Sequence, residues 1–214
     1  MIGLTSTPVV AVILAAGMSR RMGAQNKLLL TIEGQPMVRH VVLAALASRC
    51  HKVLVVVGHE AECVRQVLCD LPVEFVLNPA FAEGIGASVR AGAQAVSRQQ
   101  AVLFCLADMP GVSARVIDRL VEAFETNRGF MGFAPVFNGK RGNPVLWVPG
   151  CVSRLREAAG DEGAWGLLRQ YRDRVMAVEV TSEWVMVDLD TPDDFWRVYN
   201  RRTSNPAHRL SRLS

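Results

Sequence analysis

Half of the 214 residues are apolar and about a fifth are charged, a balance that excludes a disordered chain and supplies enough apolar surface for one substantial core. The formal net charge of +4 rests on scattered arginines with no basic stripe interleaved with aromatics, so an anionic small molecule fits and nucleic acid does not. Five cysteines at irregular spacing, with no C-x-x-C pair, argue against zinc or a disulfide framework and for reduced thiols in the cytoplasm.

Val9, Val10, Val12 and Ile13 form a β-branched run that predicts a buried strand. No positive charge precedes this run and it is too short to cross a bilayer, so neither a signal peptide nor a membrane partner is expected. The strand breaks at Ala15-Ala16-Gly17 and passes into a polar, basic loop with Ser19, Arg20, Arg21, Gly23, Asn26 and Lys27. Small residues let backbone N–H groups approach a phosphate and cations neutralise it. Ligands bind at just this place, the carboxyl end of a first strand, in α/β sheets. Gly17 and Gly23 are too far apart for the dinucleotide fingerprint, and Leu28 stands where the Walker loop needs Ser or Thr.

Helical apolar spacing predicts a helix over 36–48, with Pro36 near its start, and 52–57 reads as a buried strand ending at Gly58. A helix over 61–69, a short strand over 73–77 closed by Asn78-Pro79, a helix over 88–97 and a buried strand over 101–106 follow. Ser113 caps a helix that runs to 126. This alternation predicts an α/β fold, a mostly parallel twisted sheet with helices on both faces. After Phe130 the rhythm changes. Residues 130–137 and 143–148 read as strands flanking a turn over 138–142. Helices over 152–158 and 164–171, strands over 175–180 and 184–189, and a last helix over 192–201 complete the chain. Without repeats or a linker, 1–202 is read as a single domain and 203–214 as a frayed polar tail.

Four further stretches carry chemistry. Leu106-Ala107-Asp108-Met109-Pro110 ends a buried strand in one carboxylate, at the same sheet edge as the first loop. There it can hold magnesium, a hard cation that takes carboxylate and triphosphate oxygens together, or simply cap a turn. In the run 187–194, strand alternation puts Asp188 and Asp190 on one face and Leu189 on the other. Asp193 and Asp194 fall in a helical first turn, where the macrodipole favours carboxylates. In the segment 84–92, the glycines and Ser88 lie at a helix N-terminus, suited to a base, ribose or phosphate. Gly139-Lys140-Arg141-Gly142-Asn143-Pro144 also reads as a hairpin turn that needs glycine for positive φ.

Together these motifs, in order from residue 9 to about 199, resemble the molybdopterin nucleotidyltransferase family. Its loop reads L-A-A-G-x-S-x-R-M-G with a Lys shortly after. The resemblance implies a single-domain, Rossmann-like nucleotidyltransferase fold. It implies a nucleotide held by Leu14, Ala15, Ala16, Gly17, Ser19, Gly23 and Lys27 with Asn78, Gly86 and Ser88. Arg20, Lys27 and Asp108 become the catalytic residues. Asp108, Asp188 and Asp190 become the metal carboxylates for Mg2+, with Asp188 favoured over Asp190. Arg141, Gly142, Asn143 and Asp161 face the acceptor. Asp161 lies in Gly160-Asp161-Glu162-Gly163-Ala164, similar to a segment of the cytidylyl branch, although Trp165 follows where that branch often has Arg. The guanylyl branch reads L-A-G-G where this chain has Leu14-Ala15-Ala16-Gly17. The expected substrates are therefore CTP and a molybdopterin-type cofactor, with a client molybdoenzyme or its accessory protein as a further partner. GTP, a sugar phosphate or methylerythritol phosphate stays an alternative within the class. An oxidoreductase using a nucleotide cofactor and a non-catalytic accessory protein are alternatives outside it.

Overall fold

The computed structural model describes residues 7–19, 26–160, 164–191, 193, 194 and 196. In chain order it holds β1 (Val9–Ala15), β2 (Thr31–Ile32), β3 (Gln35–Pro36), α1 (Met37–Leu46), β4 (Lys52–Val57), α2 (Ala61–Gln66), β5 (Glu74–Leu77), α3 (Ile85–Gln94), β6 (Ala101–Leu106) and α4 (Ala114–Thr126). Then come β7 (Gly132–Phe137), β8 (Lys140–Arg141), β9 (Val145–Trp147), α5 (Val152–Leu155), α6 (Ala164–Gln170) and β10 (Val175–Glu179).

The main sheet runs β10-β7-β9-β6-β1-β4-β5, with β8 attached to β7. β1, at its heart, has no polar residue and is buried on both faces, because helices cover both sides of the sheet. Val9, Ala11, Ile13 and Ala15 face the layer of α1, α2 and α4, whereas Val10 and Val12 face that of α3, α5 and α6. α4 earns its place by pattern: Val116, Ile117, Leu120, Val121 and Phe124 recur at helical spacing and are buried. The fold is thus the predicted single-domain α/β sandwich. No helix among the described residues is long and apolar enough to cross a membrane.

Three expectations are corrected. First, the turn predicted over 138–142 shrinks to two residues, while β9 runs antiparallel to β7, as the predicted hairpin requires, and to β6. Asn138 (φ 49°) and Gly139 (φ 75°) close a tight hairpin between β7 and β8, both in the left-handed region that such hairpins need. Second, α3 begins at Ile85 instead of Ser88, because Gly84 (φ 102°) lets the chain turn into the helix earlier. Third, 184–189 is not a strand. A 3-10 turn spans Glu183–Met186, and the chain from 187 to 190 joins no sheet among the described residues, although Val185 and Leu189 are buried. Most of the helix predicted over 192–201, and the tail over 203–214, lie outside the described residues. Its cap is described: Asp194 Oδ2 accepts from the Thr191 backbone N–H (3.0 Å) and hydroxyl (2.6 Å), and the Asp194 N–H donates back to Thr191 Oγ1 (3.2 Å).

Candidate nucleotide and metal site

Four parallel strands end at one edge: β1 at Ala15, β4 at Val57, β5 at Leu77 and β6 at Leu106. The next residues are tied together by backbone bonds, His59 N–H to the Ala16 carbonyl (3.3 Å), Asn78 N–H to Val57 (2.8 Å) and Ala107 N–H to Leu14 (3.2 Å). The chain builds β4 and β5 on one side of β1 and then crosses to place β6 on the other. β1 is therefore the point where strand order reverses, which opens a crevice at the carboxyl edge.

A cavity of about 480 Å³ fills that crevice. Leu14, Ala16, Phe81, Ile85 and Leu106 supply apolar wall, and Ser19, Lys27, Ser88, Asp108 and Asp190 supply polar groups. Lys27 enters from a short 3-10 turn whose start is fixed by Asn26, which accepts from the Leu28 N–H at 3.1 Å. The Lys27 N–H donates to Ser19 Oγ at 3.2 Å. Its ammonium bridges two carboxylates, donating to Asp108 Oδ2 at 2.6 Å and Asp190 Oδ1 at 2.7 Å. The three side chains keep only 11%, 20% and 23% exposure. Burial works to lower the Lys27 pKa, but the charge and hydrogen bond of Asp108, then those of Asp190, outweigh it and raise it. Partial burial, then the neighbouring Asp190 and Asp108 charges, hold the Asp188 carboxyl above its ordinary range. Leu189 N–H donates to the Asp108 carbonyl at 3.0 Å, which pins this acidic stretch to the end of β6.

The carboxylates fit a divalent cation. Asp108 Oδ1 is buried and has no hydrogen-bond partner among the described residues, an oxygen left over for a cation. No cluster of three or more metal-binding side chains occurs among those residues.

Of the expected nucleotide residues, Leu14, Ala16, Gly17, Ser19, Lys27 and Ser88 line the cavity. Ala15 turns into the opposite core layer. Gly86 lies inside α3, packed so closely against the Ala159 and Gly160 backbone that a side chain would not fit. Asn78 is buried and acts through Ser88: its Oδ1 accepts from the Ala80 N–H and its Nδ2 donates to Ser88 Oγ, each at 3.1 Å. Ser88 thus accepts from the protein and has its own proton to offer a ligand. Arg20, Gly23 and Asp161 lie outside the described residues. Arg141 donates to the Arg172 and Val175 carbonyls (2.9 and 3.2 Å), tying the hairpin to β10. Gly142 and Asn143 abut the 183–187 stretch, with the Asn143 N–H on the Val185 carbonyl at 2.9 Å. Sequence reasoning missed Phe81, Glu83 and Ile85 on the wall. Their signal was positional, since the loop after β5 ends at the same sheet edge as the others.

Fold and site together define a nucleotide-binding α/β enzyme. Residues 11–175 match the model of the MobA-like NTP transferase domain, and the chain belongs to that family, an enzyme of the nucleotidyltransferase class. It is 29% identical over 202 residues to nicotine blue oxidoreductase of Paenarthrobacter nicotinovorans, covering 92% of this chain and 99% of that protein. Among solved structures, the homologue of Mycobacterium tuberculosis Rv0371c from Mycobacterium sp. strain JC1 superposes with a TM-score of 0.80 at 25% identity, covering 91% of this chain and 96% of that one. Rv0371c from M. tuberculosis H37Rv in complex with manganese shares the fold at a TM-score of 0.73 and 20% identity, covering 92% of this chain and 100% of that one.

Proposed function

We propose that the protein is a Mg2+-dependent cytoplasmic nucleotidyltransferase that moves CMP from CTP onto the phosphate of a molybdopterin-type acceptor and releases pyrophosphate. The observation that carries the reading is the Lys27 ammonium held between Asp108 and Asp190 in the cavity at the strand switch. An acceptor phosphate oxygen bonds to the α-phosphorus as the bond to the bridging oxygen breaks and pyrophosphate leaves. The backbone at Gly17 and the Ser19 hydroxyl cradle the outer phosphates, with Arg20 and Gly23 of the same loop. Lys27 offsets the charge that grows on the phosphates in the transition state. Asp108 with Asp190 or Asp188 would hold Mg2+, which would supply Lewis-acid stabilisation of phosphate oxygens. Manganese in the Rv0371c complex supports a divalent ion here. Arg141, Gly142, Asn143 and Asp161 belong to the acceptor side, and a client molybdoenzyme or its accessory protein would receive the product.

A second reading, reduction of a substrate by a nicotinamide nucleotide, is favoured by the full-length likeness to an oxidoreductase. One experiment separates them. Purified protein is given CTP, GTP, UTP or ATP with Mg2+, with and without molybdopterin, sugar phosphates or methylerythritol phosphate, and pyrophosphate is measured beside NADPH oxidation. Pyrophosphate with CTP and molybdopterin is the expected result. NADPH oxidation without pyrophosphate would move the protein to the second reading.

A further inference from the structure

Gly58 follows β4 and lies beside Ala16, which follows β1. A Cβ built on Gly58 would lie 2.6 Å from the Cβ of Phe81 and 2.9 Å from the Cβ of Ala16. Both atoms sit next to backbone, so neither can swing aside as the tip of a long side chain does. Ala16 and Phe81 both line the cavity, whereas Gly58 is not among the wall residues. The position therefore holds two wall residues from behind and has room only for hydrogen.

Phe81 is held on other sides as well. Its ring lies 6.0 Å from that of His59, tilted by 49°. At the far end of its 3-10 turn, the Glu83 carboxylate accepts from Arg90 at 3.0 Å, and the same guanidinium donates to the Ala158 carbonyl at 2.9 Å. A wall fixed at both ends cannot absorb a displacement by relaxing along its length.

We infer that Gly58 is a specificity-determining position: by admitting no side chain it sets where Phe81 stands, and Phe81 with Ala16 sets the width of the apolar slot that takes the nucleotide base. This rests on the cavity's being the nucleotide site. The aromatic wall suits a planar base, which can meet it face-on or edge-on. A methyl at position 58 has to displace Phe81 or Ala16, and a change of one methyl in a tight pocket alters discrimination by about tenfold or more.

Calorimetric titration of CTP and GTP, with Mg2+, into wild type, Gly58→Ala, Phe81→Gly and the double variant tests the inference. Gly58→Ala is expected to weaken binding of the preferred nucleotide about tenfold. The double variant should lose less than the sum of the two single losses, because the Phe81 contact is gone and only the Ala16 contact remains. Additive losses overturn the inference. Should Gly58→Ala fail to fold, Phe81→Leu decides: it keeps the Cβ and removes the ring, so the ratio of CTP to GTP affinity should shift about tenfold, and an unchanged ratio overturns the inference. A folded wild type that binds no nucleoside triphosphate overturns the nucleotide reading and this inference with it. Binding by wild type with additive variants overturns this inference alone.

Discussion

Without the Lys27 ammonium, Asp108 and Asp190 would face a shared, half-closed space with no counter-charge. Lys27→Met is therefore expected to cost about 1–3 kcal/mol at neutral pH, below the usual figure for breaking a fully buried pair because the carboxylates keep some contact with water. The sign with pH follows from the raised folded-state pKa. The contribution is complete below the unfolded value of 10.5 and is lost as pH climbs through the higher folded value. The melting-temperature gap between wild type and Lys27→Met should stay flat between pH 7 and 9 and narrow above about 10.5. A gap that narrows between pH 7 and 9 would show that Lys27 is not the group responsible. Asp108→Asn should keep the fold, since Leu189 bonds the Asp108 backbone and not its carboxylate, while Mn2+ affinity and turnover collapse. Asp190→Asn should cost more Mn2+ affinity than Asp188→Asn, because Asp190 shares Lys27 with Asp108 and Asp188 is exposed. Manganese paramagnetic resonance reads both, and the opposite ranking would return the role to Asp188. At this scale the sequence showed Lys27 and Asp108 plainly, because loop chemistry is written in residue types. It could not choose between Asp188 and Asp190, since alternation puts both on one face.

The stretch from Glu183 to Asp190 is the element that alternation misread, and it links two parts of the site. Its Trp184 ring lies over Gly111, where any side chain would collide with it, and its Val185 carbonyl takes the Asn143 N–H. Its end delivers Asp190 to Lys27 and pins Leu189 to the Asp108 backbone. Its buried residues, Val185 and Leu189, are spaced as strand alternation requires, so period-2 reading cannot tell this turn and unpaired chain from a strand. Gly111→Ala should lift the Trp184 ring and cost about 1–3 kcal/mol by overpacking. Because the stretch also places Asp190, Mn2+ affinity should fall alongside the melting temperature. Loss of stability with metal affinity intact would confine Gly111 to packing. The regular elements before residue 126 were legible because the helices bury one periodic face and the central strands are continuous apolar runs. The end of the chain was not, because its contacts are made by single residues.

For the whole molecule, alternation gave the parallel half of the sheet, from β5 through β4 and β1 to β6, and so located the crevice. It could not give β9's place between β6 and β7, because an apolar strand looks the same in either direction and neighbours in a sheet are not neighbours in sequence. The topology supports an expectation about base selection. The first β-strand enters the crevice from the middle of the sheet, so the residues that follow it cannot move without disturbing both core layers. Ala16 is 2% exposed, packs with Val56 and Leu54 in one layer, and still lines the cavity. Its methyl is thus a fixed part of the wall at a position where the resemblance puts glycine in the purine-using branch. One methyl in a rigid pocket is worth ~1–3 kcal/mol, or about ten- to two-hundredfold in selection. The expected outcome is a kcat/KM for CTP above that for GTP by a factor in this range with the same acceptor, and a GTP gain in Ala16→Gly without loss of the fold. The gain should be partial, since Phe81 remains in place on the same wall. Equal or greater wild-type use of GTP would remove the cytidylyl assignment and leave the nucleotidyltransferase class, which rests on the fold, the family and the Lys27 cluster rather than on this methyl.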